Sequence, residues 1–371
     1  MADYPSLLTT IFAFLLVLGP LVVVHEYGLY LVGRLFGVKV DAFSVGFGKE
    51  LFGYTDKRGT RWKLSALPLG GYVQFAGDWN AISMPDGEAG KLSPAERAVT
   101  FHAKPLWQRS LIVLAGPLTN LLFAVLIFAG FAMIYGKIVA APLASQVVAG
   151  SPAAAAGLQA GDRIVAIDGR PIDSFDQIRE RVAPFPNERV VLLVDRDGRT
   201  FETGLTIAER IERDRFGNEA RLGMIGVVAS DHEVVKLGPL SAVAFGFEQS
   251  WGVIRMMVTG IRQIFAGDRS VKELGGPIKI AKYSGEQFTL GWSEFIGFVA
   301  LISINLAFIN LLPIPALDGG HLAFYAAEAV RRKPLDLRSQ EWAFRTGIAL
   351  VLALMVFVTV NDIISLPVFG G

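Results

Sequence analysis

The chain of 371 residues has no cysteine. That excludes disulfides, thiolate zinc sites and a cysteine nucleophile, while leaving the compartment open. Histidine is nearly as scarce, with four residues: His25, His102, His232 and His321. So few imidazoles make an all-histidine metal site a poor prospect, and any metal would need a carboxylate. A surplus of one charge is missing too, since 35 Lys and Arg meet 34 Asp and Glu. Nothing in that balance supports binding to nucleic acid. The opening Met1-Ala2-Asp3-Tyr4 carries no positive charge, so the apolar run behind it reads as a retained helix rather than a cleaved signal peptide.

What the chain has in abundance is apolar sequence, 52% of the residues. Four long runs, at 5–33, 110–136, 295–320 and 346–362, are candidate transmembrane helices. Arg34, Lys39, Lys104 and Arg109 flank the first two, and Arg331, Arg332, Lys333 and Arg338 join the last two. Positive loops stay cytoplasmic, so the termini and the long segment after the second run are expected outside. The loop at 34–109 should be cytoplasmic, with short strands around Pro68-Leu69-Gly70-Gly71. Such a β-hairpin either dips into the membrane beside protein that satisfies its backbone or lies on the surface. An acid-rich stretch at 79–97 reads as an exposed loop. At 239–266, Glu248, Arg255 and Arg262 recur every seven residues, which reads as an amphipathic helix at a surface, with a fifth span as the competitor.

Between these elements lies a soluble stretch with Gly150-Ser151-Pro152, then Gly157-Leu158-Gln159-Ala160-Gly161-Asp162, then alternating strands. It resembles a PDZ domain of the bacterial protease type over 139–208, in a single copy. Such domains add an extended peptide as a strand, and the resemblance gives Gly150, Ser151, Gly157 and Leu158 as peptide-binding residues.

The ionisable pair His25-Glu26 sits inside the first apolar run. Ionisable residues within a span mark functional sites. His-Glu opens the zinc-protease pattern H-E-x-x-H, in which two imidazoles one helical turn apart hold the metal. Here the fifth position is Leu29. The third run ends in Asn310-Leu311-Leu312-Pro313-Ile314-Pro315-Ala316-Leu317-Asp318-Gly319-Gly320, an interrupted helix carrying a carboxylate.

His-Glu in the first run, Gly116-Pro117-x-x-Asn120 in the second and Asn310 to Gly320 in the third together resemble the site-2 protease family of intramembrane zinc metalloproteases. The likeness is closest to its bacterial regulator-of-sigma-E proteases and covers nearly the whole chain. It implies a polytopic α-helical membrane protein of four transmembrane helices, with a membrane-associated β-hairpin and one extracytoplasmic PDZ domain. It implies a zinc ion (Zn2+) held by His25 and Asp318, Glu26 as general base, and Asn120, Asn310, Gly70, Gly71 and Tyr72 at the substrate. The implied setting is a bacterial inner membrane, with the PDZ domain on the periplasmic side. Substrates would be single-span membrane proteins, such as anti-sigma factors or signal-peptide remnants. Leu29 occupies the position of the second zinc histidine, so catalysis is expected to be impaired. His321, three residues past Asp318, is a weak substitute, and His102 and His232 are weaker. A membrane protein that captures helices or C-termini without cutting them is the rival reading. A transporter would also explain broken helices, but no inverted repeat is visible.

Overall fold

Ser6 starts the first helix, its hydroxyl accepting the Thr9 amide at 3.1 Å. The computed structural model describes residues 5–77, 93–213, 219–229, 233–267, 270–271, 275–333 and 335–364; His232 and most of the acidic stretch at 79–97 lie outside them. The chain divides into two compact units, one formed by Met1–Phe128, Gly246–Ile254 and Gly275–Val360, the other by the remainder. Among the described residues, four helices are long and apolar enough to cross a membrane.

In the first unit, α1 (Leu7–Leu35) buries Ala13, Val17, Leu21, His25 and Gly28. These recur every three or four residues and so form one stripe. At Gly28 a Cβ would come within 2.6 Å of the Ala115 carbonyl, so this helix meets a second one backbone to backbone. Strands β1 (Val40–Thr55) and β2 (Arg61–Phe75) follow. Their turn is closed by Asp56, whose carboxylate accepts from the Arg58 and Thr60 amides and the Trp62 indole at 2.8–3.0 Å.

The sequence suggests short strands flanking Pro68 to Gly71, and the paired residues of β2 fall at Arg61–Leu67 and Gly71–Phe75, on either side of the turn. Ala42–Val45 lies opposite both Arg61–Leu64 and Gly71–Gln74, so β2 doubles back, and Arg61–Leu64 also faces Phe52–Thr55, so β1 turns back on itself too. Gly46 (φ +92°) and Gly48 (φ +86°) make that turn, in a region that costs other residues energy. The hairpin is therefore doubled over into a small curled sheet. A short helix, α2 (Pro94–Ala98), with a Ser93–Glu96 capping box, replaces the end of the expected loop.

Helix α3 (Leu106–Tyr135) comes next. Near its start, Arg109 pairs with Glu328 at 3.3 Å and lies over the Tyr325 ring.

The second unit is β-rich. Its strands are β3 (Lys137–Val139) and β4 (Ala144–Val147), then, after the short helix α4 (Pro152–Ala155), β5 (Arg163–Ile167) and β6 (Arg170–Pro171). Helix α5 (Phe175–Val182) precedes β7 (Arg189–Arg196), β8 (Arg199–Thr206), β9 (Ala208–Arg213), β10 (Glu219–Met224), β11 (Val227–Ala229) and β12 (Glu233–Val235). One four-stranded sheet runs β6-β5-β7-β8, while β4 pairs with β11, β3 with β12 and β9 with β10. The core includes Leu158, Ile164, Ile178, Leu192, Val194, Ile207 and Ile225. The boundary expected at 208 is therefore too early, because Ile225 and the β4–β11 pairing lie beyond it.

Helix α6 (Pro239–Ala266) ends at Gly267 in the left-handed conformation. Next comes α7 (Pro277–Leu290), which the apolar runs did not signal. Its cue is Gly276-Pro277, glycine at the cap and proline in the first turn. It packs on α1, where a Cβ on Gly285 would meet the Thr10 hydroxyl at 2.8 Å.

The third apolar run is two helices rather than one. Helix α8 (Trp292–Asn310) stops, and α9 (Asp318–Arg331) starts after a break. Pro313 and Pro315 supply no amide and push the residues before them out of the helical region. The last helix, α10 (Leu337–Ile364), begins well before the expected 346. Its early turns carry charge, including an Arg345–Glu341 pair at 2.6 Å, so the apolar pattern shows only its later part.

Candidate metal centre

The stripe that buries α1 carries His25 to the first unit's interior, where the ring meets residues from α3 and α9. Its Nε2 lies 3.1 Å from Asp318 Oδ2. Asp318 is the first residue of α9, where the exposed amides of the first turn favour an anion. That oxygen is buried and accepts no well-aligned hydrogen bond. The two atoms are close, yet no hydrogen bond joins them. Two ligands of one tetrahedral zinc, each about 2.0–2.1 Å from the metal, lie about 3.3 Å apart. The pair is spaced as two ligands of one ion are.

The other edge of the ring faces Asn120, whose amide nitrogen is 3.4 Å from Nδ1. Asn120 is wholly buried. Its amide is thus a neighbour of the His25 ring. Gly116, one turn earlier on α3, leaves the space the ring fills, since a Cβ there would sit 2.7 Å from His25 Cε1 and Nε2. The Gly-Pro-x-x-Asn pattern is therefore a cradle for one imidazole. The sequence displays that pattern without revealing what it holds.

Glu26 turns toward β2, and the Val73 amide hydrogen-bonds its carboxylate. Gly71, two residues earlier, lies against the same helix: a Cβ there would be 2.8 Å from Val22 Cγ1 and 3.3 Å from Glu26 Cγ. The curled sheet is thus seated on the His-Glu turn. Gly70 leaves room for the Phe47 ring, and Tyr72 stacks on Phe47 with its hydroxyl 3.5 Å from Lys63 Nζ. Asn310 ends α8, half-buried, where the break begins.

Leu29 lies one turn past His25 and packs partly buried against a cluster that includes Tyr30, Phe43, Val73 and Ile112. It brings methyl groups where an imidazole would bring a donor. His321 lies in α9 with its ring 6.5 Å from that of Tyr325, and His102 meets Phe101 edge-on. Among the described residues, no group of three His, Cys, Asp or Glu could hold a metal. The donor set fits an ion in spacing and chemistry, but it is one ligand short of the three a catalytic zinc takes.

Each of the four residues expected at a peptide groove in the second unit has a place in its fold. Leu158 is in the core. Ser151 caps α4, its hydroxyl accepting the Ala154 amide at 3.2 Å. Gly150 and Gly157 hold turns at φ +74° and +79°.

The model of peptidase family M50 matches residues 13–354. "Putative zinc metalloprotease Atu1380" of Agrobacterium fabrum is 44% identical, over 95% of this chain and 95% of its own. The Rhizobium meliloti protein R01501, of the same description, is 44% identical over 95% of this chain and 96% of its own. Metalloprotease MmpA of Caulobacter vibrioides is 37% identical over 96% and 95%. With a match that starts ahead of His25, ends within α10 and takes in every residue of the paired site, the chain belongs to peptidase family M50.

Proposed function

We propose that this chain is an intramembrane zinc metalloprotease of the site-2 type whose own peptide-bond cleavage is impaired by Leu29. The observation that carries the reading is the 3.1 Å approach of His25 Nε2 to Asp318 Oδ2, a ligand pair assembled from α1 and α9. Zinc is the metal in the relatives' descriptions, and a nitrogen and an oxygen donor suit it. Bound zinc supplies a polarised carbonyl and an acidified water. The chain's own residues supply the rest. Glu26, next to His25 and held by the Val73 amide, is the carboxylate placed to take a proton. The edge of β2 at Gly71 to Val73 is the surface against which an unwound substrate would pair. Asn310, Gly70 and Tyr72 are proposed to line that path.

Substrates in this reading are single-span membrane proteins of the anti-sigma-factor type and signal-peptide remnants. The β-rich unit acts as a PDZ domain on the periplasmic side of a bacterial inner membrane. Leu29 favours a second reading, in which the protein captures transmembrane helices or C-termini without cutting them. The experiment that separates the two measures zinc content and cleavage of a model single-span substrate for this chain beside Leu29→His. Zinc uptake and cleavage by Leu29→His alone support the impaired protease. Their absence in both chains supports the capture protein.

A further inference from the structure

Helix α6 leaves one apolar stripe bare. Leu240, Phe247, Trp251, Val258 and Phe265 are each more than half exposed, and their spacing returns them to one side of the helix. At about 100° per residue, Arg255 and Arg262 fall roughly 40–60° to one side of that stripe. An apolar stripe bordered by basic residues is the pattern of a helix lying in a bilayer interface. In the second unit, Ala242 of α6 packs with Ala129 and Ala132 in the last turns of α3, a helix long and apolar enough to cross a membrane. Helix α6 is thus held within reach of lipid.

About 20 Å further along α6, Arg255 Nη2 stands 3.7 Å from Glu180 Oε2 of α5. The next residue of α5, Arg181, donates from Nη2 to the Pro171 carbonyl at 3.4 Å, beside Arg170. Three guanidiniums, from β6, α5 and α6, are thereby gathered around Pro171 and Glu180. Arg170 and Arg255 are exposed, and Arg181 is half-buried. Burial first, then the charges of Arg170 and Arg255, hold the Arg181 guanidinium below its usual pKa, against the pull of Glu180 and Asp168. Arginine keeps its proton in such surroundings, so the crowding of like charge is not relieved by titration. Among the described residues, neither Arg170 nor Arg181 has a carboxylate at ion-pair distance, and the Arg255–Glu180 pair is long and exposed. Pairs of that kind contribute little. An anion placed among the three would relieve the crowding.

We propose that Arg170, Arg181 and Arg255 form a binding site for the phosphate of an anionic phospholipid, on the border of the bare stripe of α6. Guanidinium forks match phosphate oxygens in pairs, and the stripe gives the acyl chains an apolar surface to cover. A free phosphate has the charge but no use for the stripe. A zwitterionic headgroup brings an ammonium into a basic cluster and gains less. Binding there braces α5 against α6, which Gln263 already joins by donating to the Pro184 carbonyl. The site is separate from the metal centre and stands whether or not that centre holds zinc.

The test is hydrogen exchange of the full-length protein in nanodiscs of phosphatidylcholine, alone or with increasing phosphatidylglycerol. Phosphatidylglycerol should slow exchange over 170–182 and 252–266, and high salt should weaken the effect by screening exposed charge. The fraction of phosphatidylglycerol that gives half the protection should rise about fivefold in Arg170→Gln or Arg181→Gln, the weight of one basic residue near an anionic surface. Arg199→Gln, on β8, should leave it unchanged. Glu180→Gln separates a lipid site from a plain ion pair. It releases Arg255, so less phosphatidylglycerol should suffice, whereas Arg255→Gln should need about fivefold more. If the pair serves packing alone, both variants speed exchange alike in either lipid, and the proposal falls. Should Arg181→Gln fail to fold, Arg170→Gln and Arg255→Gln, at exposed positions, decide the matter. Equal protection by phosphatidylcholine alone overturns the proposal. So does protection lost to inorganic phosphate but not to chloride of equal ionic strength, which would make the ligand a free phosphate.

Discussion

His25 Nε2 and Asp318 Oδ2 stand 3.1 Å apart, brought together by a helix from the start of the chain and one from near its end. The oxygen has no aligned donor, although a buried oxygen of this kind normally finds one. Close approach without a hydrogen bond is the arrangement expected where a cation mediates.

That relationship makes Leu29→His a gain-of-function substitution. It adds the missing donor one turn from His25, on the same face of α1. Losing even a supporting hydrogen bond costs a metal site about 10–100-fold in affinity, so restoring a direct ligand should raise Zn2+ affinity by more than about 100-fold. Metal content after dialysis and cleavage of a single-span substrate check this. Equal zinc and equal cleavage in the two chains would contradict the assignment and bring another donor into the site.

Gly116→Ala should undo that gain. The new methyl would fall 2.7 Å from two atoms of the His25 ring, and the helix backbone cannot yield as a flexible side chain can. Overpacking of this kind costs about 1–3 kcal/mol. The cheapest relief is for the imidazole to leave its place. In the Leu29→His background, zinc affinity should drop by at least about tenfold, with thermal stability much less affected. A variant that binds zinc normally would show that the ring is not held by α3.

The His-Glu turn, the missing histidine and the Asp318 carboxylate were legible because ionisable residues stand out in apolar runs. The break at Leu311–Leu317 was legible only as an interruption. A hydropathy run cannot show that two prolines end one helix and that a second begins at Asp318. The role of Gly116 and Asn120 was hidden for another reason. Glycine advertises lack of bulk, but only the partner helix shows that the bulk it admits is the ring of His25. In the second unit, Gly157-Leu158-x-x-Gly161-Asp162 pointed to a domain type, while the burial of Leu158 shows only in the folded unit.

Asp162 explains that motif and yields a pH prediction. Its carboxylate is buried, accepts the Gln159 amide at 2.8 Å and pairs with Arg196 at 2.6 Å. Arg196 also donates to the Gly157 carbonyl at 2.8 Å, closing the loop. Burial alone would push the Asp162 carboxyl up, but the Arg196 hydrogen bonds, the Gln159 amide and the Arg196 charge together hold it below its usual value. A depressed carboxyl stabilises the fold above its unfolded pKa of about 3.9, and that contribution is lost as pH falls through the lower folded value. Asp162→Asn should therefore cost the β-rich unit about 2 kcal/mol at neutral pH. The gap between the two chains should close progressively below about pH 4. Hydrogen exchange over 140–229 in the full-length protein reads both effects, and a gap that persists at low pH would remove the ionised carboxylate as the cause.

Two glycines pack against the break, and they should behave differently. A Cβ on Gly319 would run into the Leu311 and Leu312 carbonyls, within the break itself, and one on Gly347 of α10 would run into the Pro315 carbonyl. The break cannot relax easily: Gly320 packs on Ile314, a Cβ there lying 2.7 Å from its carbonyl carbon. Ala316 already holds φ +96°, a conformation that costs a non-glycine residue about 1–3 kcal/mol. Helix α10, by contrast, exposes Leu350, Leu352, Leu354, Val356 and Phe357 and has few packed neighbours to lose by shifting outward. Gly347→Ala should therefore displace α10, lowering thermal stability by about 1–3 kcal/mol, while zinc affinity in the Leu29→His background stays within a few-fold. Gly319→Ala should distort the first turn of α9, carry Asp318 away from His25 and reduce zinc affinity by more than about tenfold. The opposite ranking would mean that α10, not the break, holds the carboxylate in place.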